Sequence, residues 1–354
     1  MAVSSSRYTG AAAVAELWCR ALHSVGVEAS LLFVRGDNLE RRLAGASWGR
    51  AELVKDRRPS ELRKNLSVLR EHARRADAMM TFLPHVHLEA VGAGAHRRTA
   101  VVRVFRHPRH LRTDPLHRWF DRRAEAAIAP FDMLLESARR HVRGRPVAAF
   151  TVPVEDRFSA DAPADPPIPE LAHLDGQPIV GMVGKLAAGR GFELLLEAAS
   201  KCTRQLGLLV VGHGELQEAL ADRAQSLGLN DRVYWAGKRE ADLPELYRAM
   251  DVVLFASPGS DWGHRAVSEA QACGRPVVAV EHPGVEDLVT NLETGLLVKH
   301  SAAAVAEAFD RLLSNPDLGR QLGRAAVQCV ANRRFVATGK RLKRFLQSLT
   351  TQRR

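Results

Sequence analysis

Short runs of consecutive apolar residues recur through the second half of the chain, and a helical pattern follows nearly every one of them. The clearest runs are IVGMVG, LGLLVVG, DVVLFAS and RPVVAV. Continuous apolar strands indicate a sheet that helices cover on both faces, because a strand with one solvent face would alternate apolar and polar residues. The alternation of such strands with helices predicts a parallel, doubly wound α/β sheet.

The first half shows the same alternation, with VEASLLFV, DAMMTFL, TAVVRVF and PVAAFTV as strands and a last helical stretch to about residue 143. A chain of 354 residues with 46% hydrophobic residues is long enough for two cores. The segment 159–178 holds five of the 17 prolines and is typical of a linker. We therefore predict two Rossmann-like domains facing a cleft, over 1–158 and 179–335, with a C-terminal helix over 336–354 that packs back on the first domain.

Composition argues against several classes of protein. No apolar run reaches the roughly 18 residues of a membrane span, and the start lacks the pattern of a secretory signal, so we expect a cytoplasmic location. The four cysteines, Cys19, Cys202, Cys273 and Cys329, have no CxxC spacing, which disfavours a disulfide framework and a zinc site. We interpret them as buried small residues.

The net charge of +11 lies mainly in the first half. Residues 1–170 hold 28 Lys and Arg against 20 Asp and Glu (+8), and the remainder holds 23 against 20 (+3). Such an excess suits an anionic partner, whether a phosphate-bearing substrate, nucleic acid or an acidic membrane.

The most basic stretch, residues 55–75, has no aromatic residue, which argues against nucleic acid. It predicts an amphipathic helix capped by Ser60, with Leu62, Leu66 and Leu69 near one face. The charged face is either simply solvent-exposed or a peripheral contact with the anionic inner surface of the membrane. The sequence leaves both readings open.

Two loops at strand ends in the second half carry groups that could bind an anion. Ligands of open α/β sheets bind beyond the carboxyl ends of the strands. Lys185 and Arg190 bracket the first loop, before a helix that Gly191 opens, and they would suit a diphosphate. Exposed loop charges would give the same pattern. The second loop, VVGHGE, contains Gly212, which permits close approach of a ligand but also suits an ordinary turn.

A third loop, in the stretch SDWGHRAVSE, places Asp261 and Glu269 eight residues apart. The helix is expected from about His264 to Cys273, with Gly274 as its C-terminal stop. Both acids could then face a ligand across the helix amino terminus, and a carboxylate is a known partner of ribose hydroxyls. A helix cap and a solvent-exposed acid are the alternative.

Four stretches, GKLAAGRG, VVGHGE, DWGHRAVSEAQACGRPVVA and GVEDLVTNLETGLLV, follow one another between about 178 and 298. In this order they resemble the donor-binding domain of GT-B glycosyltransferases of family 4, the glycosyl transferases group 1. The resemblance implies a retaining transferase that moves a sugar from a nucleotide-diphosphate donor to a hydroxyl of a glycan or lipid-linked acceptor. The nucleotide-sugar is then a substrate, and no cofactor is expected.

The resemblance also implies roles for individual residues. Lys185 and Arg190 would hold the diphosphate, in the reverse of the usual order of Arg and Lys, and Glu269 would accept the ribose hydroxyls. Asp261 would act at the donor sugar with a side chain one methylene shorter than the usual Glu. The other implied substrate-binding residues are Gly212, Gly263, His264 and Arg265. No D-x-D motif precedes this site, so no metal is expected.

The first half matches the family less closely. Residues 9–34 resemble its opening glycine loop, helix and second strand, with Gly10 as the surviving glycine. His107 falls where many members have a histidine close to the acceptor hydroxyl, although a structural or exposed histidine is an equal alternative. The family's first strand is either abbreviated around Ala2 and Val3 or precedes the sequence given.

Two further functions stay open at this stage. A sugar-nucleotide epimerase shares the fold and would make its product from the donor alone. A non-catalytic nucleotide-sugar-binding protein would bind the donor without transfer, and the short start and the altered Asp261 and His264 favour it.

Overall fold

In a computed structural model, the chain forms two compact units. The described residues of the first unit lie within 1–153 and 333–351, and those of the second lie within 154–257 and 264–332. The description leaves out residues 4, 6–8, 55–57, 112–113, 162–167, 175, 258–263 and 352–354, and the side chains of 37, 132 and 133. Both units are doubly wound parallel α/β structures, which confirms the predicted fold class.

The first unit contains a parallel sheet in the order β3-β2-β1-β4-β5-β6-β7. Its described strands are β1 (Ala2–Val3), β2 (Leu31–Val34), β3 (Gly49–Leu53), β4 (Ala78–Thr81), β5 (Ala100–Val104), β6 (Ala126–Ala129) and β7 (Val147–Ala149). Its helices are α1 (Gly10–His23), α2 (Asp37–Leu43), α3 (Pro59–Arg75), α4 (Pro84–Gly92), α5 (Pro115–Asp121), α6 (Asp132–Val142) and α13 (Phe335–Thr351).

The short strand β1 lies in the middle of this sheet. Ala2 pairs with Leu32 of β2 on one side and with Thr81 of β4 on the other. Both residues of β1 are fully buried. A first strand around Ala2 and Val3 is therefore present at the centre of the sheet.

Three details of the first unit differ from the sequence prediction. Strand β6 interrupts the stretch predicted to be helical up to residue 143, and β3 was not predicted. Helix α3 begins at Pro59 with Arg58 as its N-cap residue, so the prediction of Ser60 as the cap is wrong. Proline is favoured in the first turn because that turn has no partner for its N–H groups.

The second unit contains a parallel sheet in the order β10-β9-β8-β11-β12-β13. Its described strands are β8 (Ile179–Val183), β9 (Gly207–Val211), β10 (Val233–Gly237), β11 (Val252–Phe255), β12 (Val277–Val280) and β13 (Leu296–Val298). Its helices are α7 (Phe192–Ala199), α8 (Gln217–Ser226), α9 (Leu243–Ala249), α10 (Arg265–Ala272), α11 (Ala302–Ser314) and α12 (Pro316–Val330).

The helices of the second unit cover both faces of its sheet, and a separate hydrophobic cluster fills each side. Helix α10 ends as predicted, with Gly274 at a φ of +70° just after it. All four cysteines are free thiols, and of these Cys19 and Cys273 are buried as predicted, while Cys202 and Cys329 are half-buried.

Helix α13 packs on α1 within the first unit. Phe335, Leu342 and Leu349 of α13 join the same core cluster as Trp18 and Leu22 of α1. The two helices approach closely at Gly339, where a Cβ atom would lie 2.0 Å from the carbonyl oxygen of Ala21. Only a glycine fits there without a shift of the helices.

We expect Gly339→Ala to lower the free energy of unfolding by about 1–3 kcal/mol, because the added methyl overpacks the α1–α13 contact. Alanine stabilises a helix interior more than glycine does. A loss of stability in this variant is therefore due to the clash. Urea unfolding measures it. Gly45→Ala is the matched control, since a Cβ at Gly45 meets nothing within 4 Å. Equal effects of both changes would contradict the packing argument.

Candidate active site at the strand ends of the second unit

Two loops of the second unit meet at the carboxyl ends of β8 and β9. The N–H of Gly184 donates to the carbonyl of Val211 over 2.9 Å, and that of Leu186 donates to His213 over 3.2 Å. A Cβ at Gly212, which has a φ of +150°, would lie 1.7 Å from the carbonyl oxygen of Gly184. Glycine is therefore required at 212, where the backbones of the two loops are in direct contact.

Glycine also permits close contact between the start of α7 and the end of β11. Gly191 has a φ of +87°, and a Cβ there would lie 2.4 Å from the Cβ of Ala256. Next to it, Nη1 of Arg190 donates to Oγ of Ser257 over 2.9 Å. The guanidinium of Arg190 is thereby held where β11 ends.

Lys185 lies in the same loop as Arg190 and is held less firmly. Its Nζ is 3.0 Å from Oε2 of Glu215, and its side chain is 62% exposed. Donation from its own backbone N–H and from Lys185 lowers the pKa of Glu215. Because exposed ion pairs are screened by solvent, an incoming anion can exchange with Glu215 as the partner of Lys185.

Glu269 of α10 is fully buried and contacts protein groups on both oxygens. The hydroxyl of Tyr247 donates to Oε2 over 3.1 Å, and Nε of Arg265 contacts Oε1. Nη2 of Arg265 also lies 3.4 Å from Oε2 of Glu155. Burial raises the pKa of Glu269, with Arg265 opposing the shift. The predicted ribose ligand is thus already engaged by Tyr247 and Arg265.

Two histidines stack at the ends of β11 and β12. The rings of His264 and His282 are 5.3 Å apart at an angle of 10°, and Phe255 lies 5.4 Å from His264. Burial, and secondarily His282, lowers the pKa of His264 to about 3. Burial also lowers the pKa of His282. The pair is therefore neutral near neutral pH.

The structure brings together most of the predicted donor-side residues. Lys185, Arg190, Gly212, His264, Arg265 and Glu269 all lie at strand ends or in α10 of the second unit. Asp261 and Gly263 lie outside the described residues. The roles of all these residues stay predictions.

The two acceptor-side residues lie in the first unit. Gly10 begins α1, where Oγ1 of Thr9 accepts from the N–H of Ala12 over 3.5 Å. His107 follows β5, and its Nδ1 accepts from the N–H of Arg109 over 3.0 Å. The ring of His107 caps a short 3-10 turn in this way, and its part in catalysis stays a prediction.

The sequence analysis did not identify the side chains that contact the ionisable residues of this site. These partners are Glu155, Glu215, Tyr247, Ser257 and His282. Glu215 directly follows the glycine turn and could have been found from that position. The other four are separated in sequence from the residues that they contact, by 18 residues for His264 and His282 and by 110 for Arg265 and Glu155.

In the described part of the chain, no cluster of three or more His, Cys, Asp or Glu side chains could hold a metal ion. Among the same residues, no helix combines the length and apolar character that crossing a bilayer requires. Metal independence stays a prediction.

The fold is that of GT-B proteins, as predicted. The crystal structure of Anabaena Alr3699/HepE in complex with UDP matches this structure with a TM-score of 0.82 over 98% of both chains, at 18% sequence identity. Residues 167–328 match the family model described as Glycosyl transferases group 1. The predicted resemblance to that family is confirmed over this segment, and the assignment to family 4 stays a prediction.

Two relatives bear glycosyltransferase names. Over 228 residues the chain is 29% identical to the alpha-D-kanosaminyltransferase of Streptomyces kanamyceticus. The aligned stretch covers 60% of this chain and 58% of the relative. Over 170 residues it is 34% identical to the D-inositol 3-phosphate glycosyltransferase of Nocardia farcinica, covering 45% and 38%. The matched stretches thus span less than two thirds of either relative.

We expect His264→Phe to flatten the pH dependence of stability below about pH 6. The pKa of His264 is lower in the folded chain than its ordinary 6.5, so its contribution is complete above 6.5 and is lost as the pH falls toward 3. One proton changes the slope of the free energy of unfolding by about 1.4 kcal/mol per pH unit. Urea unfolding in steps from about pH 6 to about pH 4 measures it.

Phenylalanine keeps an aromatic ring against His282 and Phe255, so packing should change little. The matched control is His213→Phe, which alters an exposed histidine on the neighbouring loop. If His264→Phe keeps the wild-type slope, as the control should, the burial argument is contradicted.

Proposed function

We propose that the chain is a retaining, metal-independent glycosyltransferase that moves a sugar from a nucleotide-diphosphate donor to a hydroxyl of a glycan or lipid-linked acceptor. One observation carries the proposal. The loops after β8, β9 and β11 join through glycine contacts, and the first of these loops carries both Lys185 and Arg190. The family match over residues 167–328 supports it.

The donor diphosphate is the group that these loops suit. Lys185 and Arg190 would offset its charge, and the amino terminus of α7 begins directly after Gly191. N–H groups at a helix start and the helix dipole favour an anion. The same groups would stabilise the diphosphate as it leaves, which is where charge develops.

In the proposed reaction the acceptor hydroxyl attacks the anomeric carbon on the face from which the diphosphate departs. The new bond joins the acceptor oxygen to that carbon, and the bond from the carbon to the diphosphate oxygen breaks. The acceptor proton passes to the leaving phosphate. Asp261 would face the donor sugar and His107 the acceptor, and neither Asp261 nor Glu269 would act as a nucleophile.

The ribose would bind by exchange at Glu269. Arg265 lies between Glu269 and Glu155 and contacts both carboxylates. It can leave Glu269 and keep Glu155 as its partner, so that the guanidinium keeps a carboxylate beside it. Two ribose hydroxyls would then donate to Glu269 while the hydroxyl of Tyr247 holds the carboxylate in place.

We expect Lys185→Ala or Arg190→Ala to lower turnover by about 10²-fold, by analogy with the loss of one anion-stabilising donor. Thermal shift with UDP-, GDP- and ADP-sugars identifies the donor first. Release of the nucleoside diphosphate, with and without candidate acceptors, then gives the rate. Glu215→Gln should act in the opposite direction and tighten donor binding by at most about fivefold, because it frees Lys185.

Lys201→Ala is the matched control, since this exposed lysine lies beyond the other end of α7. Unchanged rates in the Lys185 and Arg190 variants would remove the diphosphate assignment. A product formed from the donor alone, without release of the diphosphate, would identify an epimerase. Donor binding without transfer to any acceptor would identify a binding protein.

A further inference from the structure

Helix α5 of the first unit is fixed firmly from its inner side. Asp121 at its end is buried, and its Oδ1 lies 3.3 Å from Nε of Arg103 and 3.7 Å from Nε2 of His87. Burial lowers the pKa of His87 to about 3, so this ring is neutral. Nε2 then donates to the carbonyl of Phe120 over 3.1 Å, and Nδ1 accepts from the hydroxyl of Thr81 over 2.9 Å.

The outer side of α5 exposes large apolar side chains. Leu116 is 58% exposed and Trp119 is 49% exposed. Residues three apart lie on the same side of a helix, so the two form one apolar surface. Tryptophan is highly buried on average in folded proteins. Because α5 is held from beneath, this exposure belongs to the folded helix.

Cations surround this apolar surface. Arg118 of α5 and Arg122, its C-cap residue, are both exposed. The guanidinium of Arg123 lies over the ring of Trp119, and its Nη1 donates to the carbonyl of Trp119 over 2.9 Å. Of the two acids at α5, Asp121 is buried, and Asp114 lies at the opposite end of the helix from Arg122, where it accepts from the N–H of His117.

We propose that the outer face of α5 binds an anionic lipid surface. Trp119 and Leu116 enter the interfacial layer, where an indole ring with one apolar and one polar edge is favoured. Arg118 and Arg122 face the headgroup phosphates, and each cation near an anionic surface adds to the affinity. Because the outer face is positively charged, an anionic lipid surface suits it better than a neutral partner does.

Helix α3 lies within the segment 55–75, for which peripheral membrane contact was one of two open readings. Leu69 is fully buried and Leu66 packs against the same core cluster, while Leu62 is 40% exposed. Its exposed residues include Arg63 and Lys64. Helix α3 therefore offers charge to a membrane, whereas α5 offers charge together with an exposed indole.

Sedimentation of the full chain with vesicles tests the proposal, and it needs no sugar donor. We expect binding to vesicles of equal parts phosphatidylglycerol and phosphatidylcholine that weakens with salt, and little binding to phosphatidylcholine alone. Leu116→Ser with Trp119→Ser, or Arg118→Gln with Arg122→Gln, should each weaken it about tenfold or more. The matched control Arg63→Gln with Lys64→Gln makes the same charge change on α3 and should cost less than about threefold.

A second measurement follows Trp119 itself. Lipids brominated on their chains quench indoles that enter the bilayer, and Trp119→Phe should remove most of that quenching although the chain has five tryptophans. Unfolding midpoints verify that each variant folds. Any of three results would overturn the proposal. They are binding to neutral vesicles as strong as to anionic ones, a loss in the α3 control as large as in the α5 variants, and unchanged quenching in Trp119→Phe. Self-association in solution that Leu116→Ser abolishes, without vesicle binding, would assign the face to a second copy instead.

Discussion

The approach of Gly184 and Gly212 is the contact on which the candidate site depends. Because no side chain separates the two loops at this point, the backbone after β8 bonds directly to the backbone after β9. A second close approach, between Gly191 and Ala256, joins the same loop to the end of β11. Two such contacts are enough to fix three strand ends relative to one another and to aim Lys185 and Arg190.

Both units place ionisable groups in the interior, and each does so in its own way. In the second unit the stacked histidines stay neutral, while Glu269 is held by a cation and a phenol. In the first unit, burial lowers the pKa of Arg103 to about 10 and raises the pKa of Asp121, while each opposes the shift of the other. A buried pair of this kind costs stability if either member is removed, so it ties α5 to the sheet.

The sequence predicts β8 to β12 of the second unit, because helices cover both faces of its sheet and these strands are nearly continuous apolar runs, but it does not predict the short β13. It does not predict β3, whose residues GRAEL are partly polar, or β6, whose alanines suit a helix equally. Those two become strands by pairing with β2 and β5. Within the site, loop positions predict Lys185, Arg190 and Gly212. The contacts of Tyr247 and Glu155 depend on tertiary packing, which no spacing in the sequence records.

The return of α13 to α1 has a consequence for the order in which the protein matures during synthesis. Domains made first usually fold first. Here the core around α1 lacks Phe335, Leu342 and Leu349 until α13 has left the ribosome. Residues 154–332 carry their own core and are complete earlier. The domain that is translated first therefore completes its core only after residues 154–332 have been made.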